Sequence, residues 1–288
     1  MTILDELASY AAVRVEKAKQ AVPLEEMKAM AFRLAEMEGA DDFAGKRSAA
    51  SAPGSAGNAP MGPSGRFAFE KALSGPEIGF ICEVKKASPS KGLIADHFPW
   101  LDIAKEYEAA GAECISVLTE PKWFLGSGEY LQKIARSVRI PCIRKDFTVD
   151  EYMIYEAKVL GAGAVLLICS LLDPNRLEAY IRVADSLGLS SLVEAHDEEE
   201  IRLAVASGAR MIGVNNRNLK DFTVDVHNSE RLRKLVPDGI VFVAESGIRD
   251  AEDVRAMRNA GADACLVGET LMRAPDKAQM LRKLREMV

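Results

Sequence analysis

The chain has 288 residues, 48% hydrophobic and 28% charged, which is the composition of an ordinary globular protein with enough apolar material for a large core. Lysine and arginine number 37 against 43 acidic residues, so the formal net charge is −6 and electrostatics give no ground for a nucleic-acid partner. No apolar run approaches the roughly 20 residues of a membrane span, and residues 1–10 lack the basic-then-apolar pattern of a signal peptide.

Ile3, Leu4, Leu7, Tyr10 or Ala11, and Val15 recur at roughly helical spacing and predict an amphipathic helix over 3–20. Pro23-Leu24-Glu25-Glu26 opens a second helical stretch, proline being suited to a first turn. Residues 1–37 therefore read as a helical extension. Residues 38–66 are rich in Gly, Ala, Ser and Pro and nearly lack large apolar side chains. Such a segment buries too little surface to offset chain entropy, and it is expected to be a flexible loop.

Residues 67–288 are regular. Eight apolar runs of strand length fall at 78–84, 113–118, 140–144, 164–169, 190–194, 210–214, 240–244 and 263–267, with amphipathic helix-like stretches between them. That alternation implies parallel strands joined by crossover helices. Runs apolar throughout suit strands covered on both faces. Every second run is preceded by a Gly-Ala pair, at Gly111-Ala112, Gly161-Ala162, Gly208-Ala209 and Gly261-Ala262, at intervals of 50, 47 and 53 residues. Each interval holds two βα units, a quarter of an eightfold barrel, and each glycine suits a left-handed helix C-cap. The expectation is a single α/β domain, a (β/α)8 TIM barrel with an N-terminal helical extension; a doubly wound open sheet is the alternative. Cys82, Cys114, Cys142, Cys169 and Cys265 lie in or beside apolar runs and form no C-x-x-C pair. They read as buried, reduced thiols of a cytoplasmic protein.

In a parallel barrel the chemistry belongs at the carboxyl ends of the strands. Those ends carry Glu83 and Lys85, Thr119, Lys145 and Asp146, Ser170, Glu194, Asn215 and Arg217, Glu245 and Ser246, and Gly268 and Glu269. So many polar groups on one rim point to an enzyme. Glu83 and Lys85 are two apart and share a face, so both can aim into the mouth; a structural ion pair is the competing reading. The hydroxyls and cations of 86–92 suit anion capture. Gly247 and Gly268 follow the seventh and eighth strands, the usual phosphate site of such barrels, where backbone N–H groups approach the ligand; an ordinary tight turn is the alternative. His97, His196 and His227 are far apart and make no case for a metal, and His196 reads as a solvated loop residue. There is no P-loop and no Rossmann G-x-G-x-x-G.

Cys82-Glu83-Val84-Lys85-Lys86-Ala87-Ser88-Pro89-Ser90-Lys91-Gly92 resembles the signature of the indole-3-glycerol-phosphate synthase family. The resemblance continues through Arg144-Lys145-Asp146-Phe147, Asn215-Asn216-Arg217-Asn218-Leu219 and Glu245-Ser246-Gly247-Ile248, and covers all but residues 38–65. Met153, Leu125 and the long 38–65 segment depart from the family pattern. The resemblance implies a monomeric, cofactor-free carboxy-lyase of tryptophan biosynthesis acting on a phosphorylated small molecule, 1-(2-carboxyphenylamino)-1-deoxyribulose 5-phosphate. It implies Lys145 as general acid, Glu194 as base, Lys85 as partner of the substrate carboxylate or a second proton donor, and Glu83 as orienter of the lysines or proton shuttle. Asn215 and Ser246 would hold the intermediate, and Arg217 would face Glu83 or a substrate anion. Ser88, Gly247, Gly268 and Glu269 would cradle phosphate, with Glu269 acting through its backbone N–H, and Phe147 and Leu166 would wall the pocket. A second cation or a dry pocket is expected to lower the lysine pKa and make its proton easier to give. Three competing readings are a surface Lys145–Asp146 ion pair, another phosphate-binding barrel such as phosphoribosylanthranilate isomerase, and a non-catalytic ligand-binding barrel.

Overall fold

Thr2 and Asp5 exchange side-chain and backbone hydrogen bonds in a capping box that starts α1 (Ile3–Ala21). The structure, a computed structural model, describes residues 2–48, 65–218 and 222–286, with side chains given outside 39–48. Helix α1 buries Leu7, Ala11 and Val15, one residue per turn. Helix α2 (Leu24–Ser48) continues well past residue 37, so the expected loop begins later than the composition suggests. Glu38, Ala40, Ala44, Lys46 and Arg47 favour a helix, and no proline intervenes before Pro53. The rest of that expected loop, 49–64, lies outside the described residues.

Helix α3 (Ala68–Ala72) closes the N-terminal end of a barrel. Fully buried Phe69 lies with its carbonyl 3.8 Å from Cys114 Sγ, and Ser190 Oγ accepts the Glu70 N–H at 3.3 Å. The barrel strands are β1 (Gly79–Val84), β2 (Cys114–Leu118), β3 (Cys142–Lys145), β4 (Ala164–Ile168), β5 (Ser190–Ala195), β6 (Met211–Asn215), β7 (Val241–Glu245) and β8 (Ala264–Val267). Each lies within two residues of its expected run. All pair in parallel with their sequence neighbours, and β1 also pairs β8, Gly79 opposite Ala264, which closes the barrel and excludes the open sheet.

Between strands run α4 (Trp100–Ala109), α5 (Gly128–Ala135), α6 (Tyr152–Val159), α7 (Pro174–Ser186), α8 (Glu198–Ala206), α9 (His227–Arg233) and α10 (Ala251–Asn259); α11 (Glu269–Arg273) and α12 (Lys277–Arg285) follow β8. At the Gly-Ala joints each glycine has φ between +82° and +91°. Each alanine N–H reaches back five residues, as from Ala112 to the Tyr107 carbonyl at 3.0 Å and from Ala262 to that of Met257 at 2.9 Å. These are Schellman caps, and the repeat visible in the sequence is a repeated helix stop.

Strand residues alternate between two cores. Phe80, Cys82, Ile115, Val193, Phe242 and Cys265 pack against the helices. Ile81, Ile143, Leu166, Leu192, Met211, Val243 and Leu266 fill the barrel interior. All five cysteines are buried free thiols. Helix α1 crosses the open end of the barrel and is tied down at several points. Arg14 grips both oxygens of Asp146 (3.0 and 2.6 Å), Lys19 reaches Asp150 (2.8 Å), and Tyr152 Oη donates to the Ala18 and Val22 carbonyls. Met153 is buried in the outer core, and Leu125 is exposed with a φ of +52°. No helix among the described residues is long and apolar enough to cross a membrane.

Candidate active site

A cavity of about 700 Å³ opens at the C-terminal ends of the strands. Glu83, Lys85 and Ser88 enter it from β1 and the turn beyond, Lys145 and Phe147 from β3, and Leu166 from β4. Glu194 enters from β5, and Asn215 and Arg217 from β6. Ser246 and Gly247 follow β7, and Gly268 and Glu269 follow β8. Every site residue expected from the sequence thus lines one cavity. Ile3, Leu4 and Leu7 of α1 form part of its wall.

The centre of the cavity is a charge cluster. Lys145 Nζ stands 3.1 Å from Glu194 Oε2 and 3.1 Å from Glu245 Oε2. Lys85 Nζ is in direct contact with Glu83 Oε2. Glu83, Glu194 and Glu245 are each at least 95% buried. Glu83, Lys145, Glu194 and Glu245 come from the four odd-numbered strands, as alternate strands supply one layer of a TIM-barrel interior. Two glycines make room for this layer. A Cβ on Gly213 would stand 2.1 Å from Glu245 Oε1, and one on Gly268 would stand 2.2 Å from Glu83 Oε2. Glu245 was visible as a strand end but absent from the expected site, and it is the residue the sequence reading missed.

The electrostatics differ from the expectation. Burial works against the charge of Lys145, but Glu245, Glu194 and Glu83 outweigh it and hold the ammonium well above its ordinary pKa. The lysine acid is not lowered, because its pocket is dry but lined by carboxylates. Burial likewise opposes ionisation of Glu194, but Lys145, His196 and Asn215 keep it below the usual carboxylate range. Glu245 goes the other way. Burial, with the negative charges of Glu194 and Glu83 added, outweighs Lys145 and pushes it up to about 7. Two carboxylates on one lysine are therefore shifted in opposite directions.

Neighbouring residues refine the picture. Asp146 does not pair with Lys145. It is buried and accepts from Arg14, from Thr119 Oγ1 at 2.6 Å and from the Phe147 N–H at 2.8 Å. Thr119 thus serves Asp146, and Ser170 lies in the short 3-10 turn after β4. His196 is not a solvated loop residue. It is partly buried, with Nδ1 3.2 Å from Glu200 Oε2 and Nε2 3.5 Å from Glu194 Oε1. The Arg217 N–H donates to Asn215 Oδ1 at 3.0 Å and its guanidinium to the Phe222 carbonyl at 3.4 Å, so it braces the loop beyond β6. Glu269 is turned toward Arg273 (3.0 Å) and Lys91 (3.5 Å). Ser246 and Gly247 carry φ of +65° and +85°, and Asn216 Nδ2 donates to the Ser246 carbonyl at 3.1 Å.

Fold and site together define a (β/α)8-barrel enzyme with an acid–base cluster at its C-terminal rim. A family profile described as "Indole-3-glycerol phosphate synthase" matches residues 63–284. The chain belongs to the indole-3-glycerol phosphate synthase family, and it is a carboxy-lyase (EC 4.1.1.48) of tryptophan biosynthesis. It is 52% identical over 283 residues to the indole-3-glycerol phosphate synthase of Ruminiclostridium cellulolyticum, covering 98% of each chain. It is 50% identical over 223 residues to that of Lachnoclostridium phytofermentans, covering 77% of this chain and 82% of the relative. Among solved structures, 3-hexulose-6-phosphate synthase from Salmonella typhimurium aligns with a TM-score of 0.61 at 17% identity, over 73% of this chain and 98% of that one. Thiamine phosphate pyrophosphorylase from Pyrococcus furiosus aligns at 0.54 and 18% identity, over 73% and 94%. These two share the fold alone.

Proposed function

We propose that the chain converts 1-(2-carboxyphenylamino)-1-deoxyribulose 5-phosphate to indole-3-glycerol phosphate, carbon dioxide and water. The observation that carries this reading is Lys145 held between Glu194 and Glu245, beside the Lys85–Glu83 pair, in a single cavity. The ring carbon bearing the carboxylate attacks the ribulose carbonyl, and the carbonyl π pair moves to oxygen. Lys145, cationic across the neutral range, protonates that oxygen; an alkoxide is basic enough to take a proton even from a lysine of raised pKa. Lys85 pairs with the substrate carboxylate, and Glu83 holds Lys85 in place. The bond to the carboxylate then breaks, carbon dioxide leaves, and its electron pair restores the aromatic ring.

In the dehydration Glu194 removes a proton from the carbon beside the ring nitrogen. That electron pair forms the new double bond, and the hydroxyl departs as water with a proton from Lys145. Asn215 and Ser246 hold the intermediate, Phe147 and Leu166 wall the aromatic ring, and Arg217 faces a substrate anion. The phosphate lies against Ser88, Gly247, Gly268 and the backbone N–H of Glu269. The Glu269 carboxylate, occupied by Arg273 and Lys91, is kept from repelling it.

Indole fluorescence on mixing protein with this substrate tests the reading. Turnover is expected in the wild type, with kcat falling at least about 100-fold in Lys145→Ala. Folded wild type that binds the substrate yet yields no indole signal would favour a non-catalytic barrel.

A further inference from the structure

From the line Glu200–His196–Glu194, we infer that His196 is a positioning residue that holds and relays one proton per turnover to the Glu194–Lys145 pair. The inference rests on the reaction proposed above, whose proton balance requires such a route. Lys145 gives up two protons in each cycle, one to the carbonyl oxygen and one to the departing hydroxyl. Glu194 recovers only one from the substrate and passes it to Lys145 across 3.1 Å. The second must come from solvent, because a carboxylate enters the reaction and neutral carbon dioxide leaves. Substrate seated in the mouth covers Lys145 on that side, so the supply has to arrive from elsewhere.

His196 stands where it would arrive. It follows β5, two residues after Glu194, and the two face each other through Nε2 and Oε1 at 3.5 Å. Nε2 is buried and has no hydrogen-bond partner. On the other side Nδ1 meets Glu200 Oε2 at 3.2 Å, and the same carboxylate oxygen accepts the His196 backbone N–H at 2.7 Å, which fixes the ring. A second cavity of about 450 Å³ lies against His196, Glu200 and Asn215, and its rim includes exposed Asp197, Asp225 and Arg231. Glu200 on α8, Glu194 on β5 and Glu245 on β7 all raise the proton affinity of this histidine; burial opposes them as the largest single influence, and the carboxylates together prevail. Asp197 at the start of α8 and the Asp225–Arg231 pair across the cavity are the other charged groups facing it.

The steps balance. After Lys145 protonates the carbonyl oxygen, the imidazolium gives its Nε2 proton to the Glu194 carboxylate. Glu194 hands that proton to the neutral Lys145 amine and is again a carboxylate, ready to act as base. The ring keeps its Nδ1 proton against Glu200, and Nε2 regains its own from solvent through Glu194 once product has left the mouth. No bond other than N–H and O–H changes in the relay.

Chemical rescue tests it. His196→Ala is expected to lower kcat about tenfold to a hundredfold with KM unchanged, and millimolar imidazole should restore kcat in the variant while leaving the wild type unaffected. A second measurement uses Glu200→Gln, which weakens the proton affinity of His196. The fall of kcat with rising pH should then set in at lower pH than in the wild type. Wild-type kcat in His196→Ala, or a loss in a folded variant that imidazole does not relieve, overturns the relay. If His196→Ala fails to fold, His196→Gln and Glu200→Gln decide the matter, and an unmoved pH limb in Glu200→Gln overturns it. A wild type that makes no indole overturns the reaction and the relay with it; an active wild type with an indifferent His196 variant overturns the relay alone.

Discussion

Glu245→Gln should make the barrel more stable and less active, and the gain in stability should depend on pH in a defined way. Glu245 is 2% exposed and its carboxyl titrates at about 7 in the folded chain, against 4.5 in the open one. An acid whose folded pKa is raised holds its proton more tightly in the native state. Its favourable contribution is complete below the unfolded pKa and is lost as pH rises through the folded value. Above pH 7 the native state therefore carries a carboxylate that solvent would accommodate better. The shift corresponds to about 3 kcal/mol at 1.36 kcal/mol per pKa unit. Glutamine keeps the shape and stays neutral at every pH, so the variant should gain about 3 kcal/mol at pH 8, or roughly 6–10 °C in melting temperature for a barrel of this size. By pH 5.5 the gain should shrink to about 1 kcal/mol. Thermal and urea unfolding of both proteins at pH 8 and 5.5, with indole production measured alongside, provides the assay. A variant no more stable than wild type at pH 8, or one whose gain is the same at both pH values, would refute the argument.

Two further substitutions probe the frame around the site. Asp146→Asn removes the charge that Arg14 grips with two hydrogen bonds, and leaves a half-buried guanidinium facing a neutral amide. It should cost about 3–5 kcal/mol, read as a lower urea midpoint. Burial raises the Asp146 pKa, but Arg14, Arg144 and Thr119 outweigh it and keep the carboxyl below 3.8, so the wild-type advantage should be present above that pH and disappear as pH falls through the depressed value. Gly268→Ala would set a methyl group 2.2 Å from Glu83 Oε2 and 2.9 Å from Lys85 Nζ. Displacing that pair should lower kcat/KM by at least about tenfold, and an unchanged kcat/KM would contradict the placement of Lys85 and Glu83 in the reaction.

The barrel was legible because its signals were local. Apolar runs of strand length and a glycine after every second helix each follow from a few adjacent residues, and the strands formed within two positions of expectation. That Asp146 does not pair with Lys145 was also available, since the two are adjacent and successive strand residues face opposite ways. Glu245 could have been found by the same alternation. With Glu83, Lys145 and Glu194 on the first, third and fifth strands, the seventh owes the layer a side chain, and Gly213 on the adjacent strand leaves space for it. His196 had a weaker clue in Glu200 four residues on, at the first turn of a helix capped by Asp197. The raised lysine pKa had no local clue. It depends on three carboxylates from three other strands converging on one nitrogen, a sum that closure of the barrel alone performs. The length of α2 was hidden for the opposite reason, because a composition poor in apolar residues resembles a loop even where nothing interrupts the helix.

Each charge in the central layer stands on an apolar residue two positions earlier on its own strand: Glu83 above Ile81, Lys145 above Ile143, Glu194 above Leu192 and Glu245 above Val243. All four supports are fully shielded from solvent. The cluster is therefore a cup with a dry floor and a wet mouth, and the mouth is where the ligand goes. A molecule that fills it acts as a stopper, taking away the main high-dielectric boundary these groups possess. The attractions and repulsions among them then strengthen without any of them moving. Occupancy itself becomes the event that sharpens the field, and a ligand too small to seal the rim would meet the same residues in a weaker solvent-softened form.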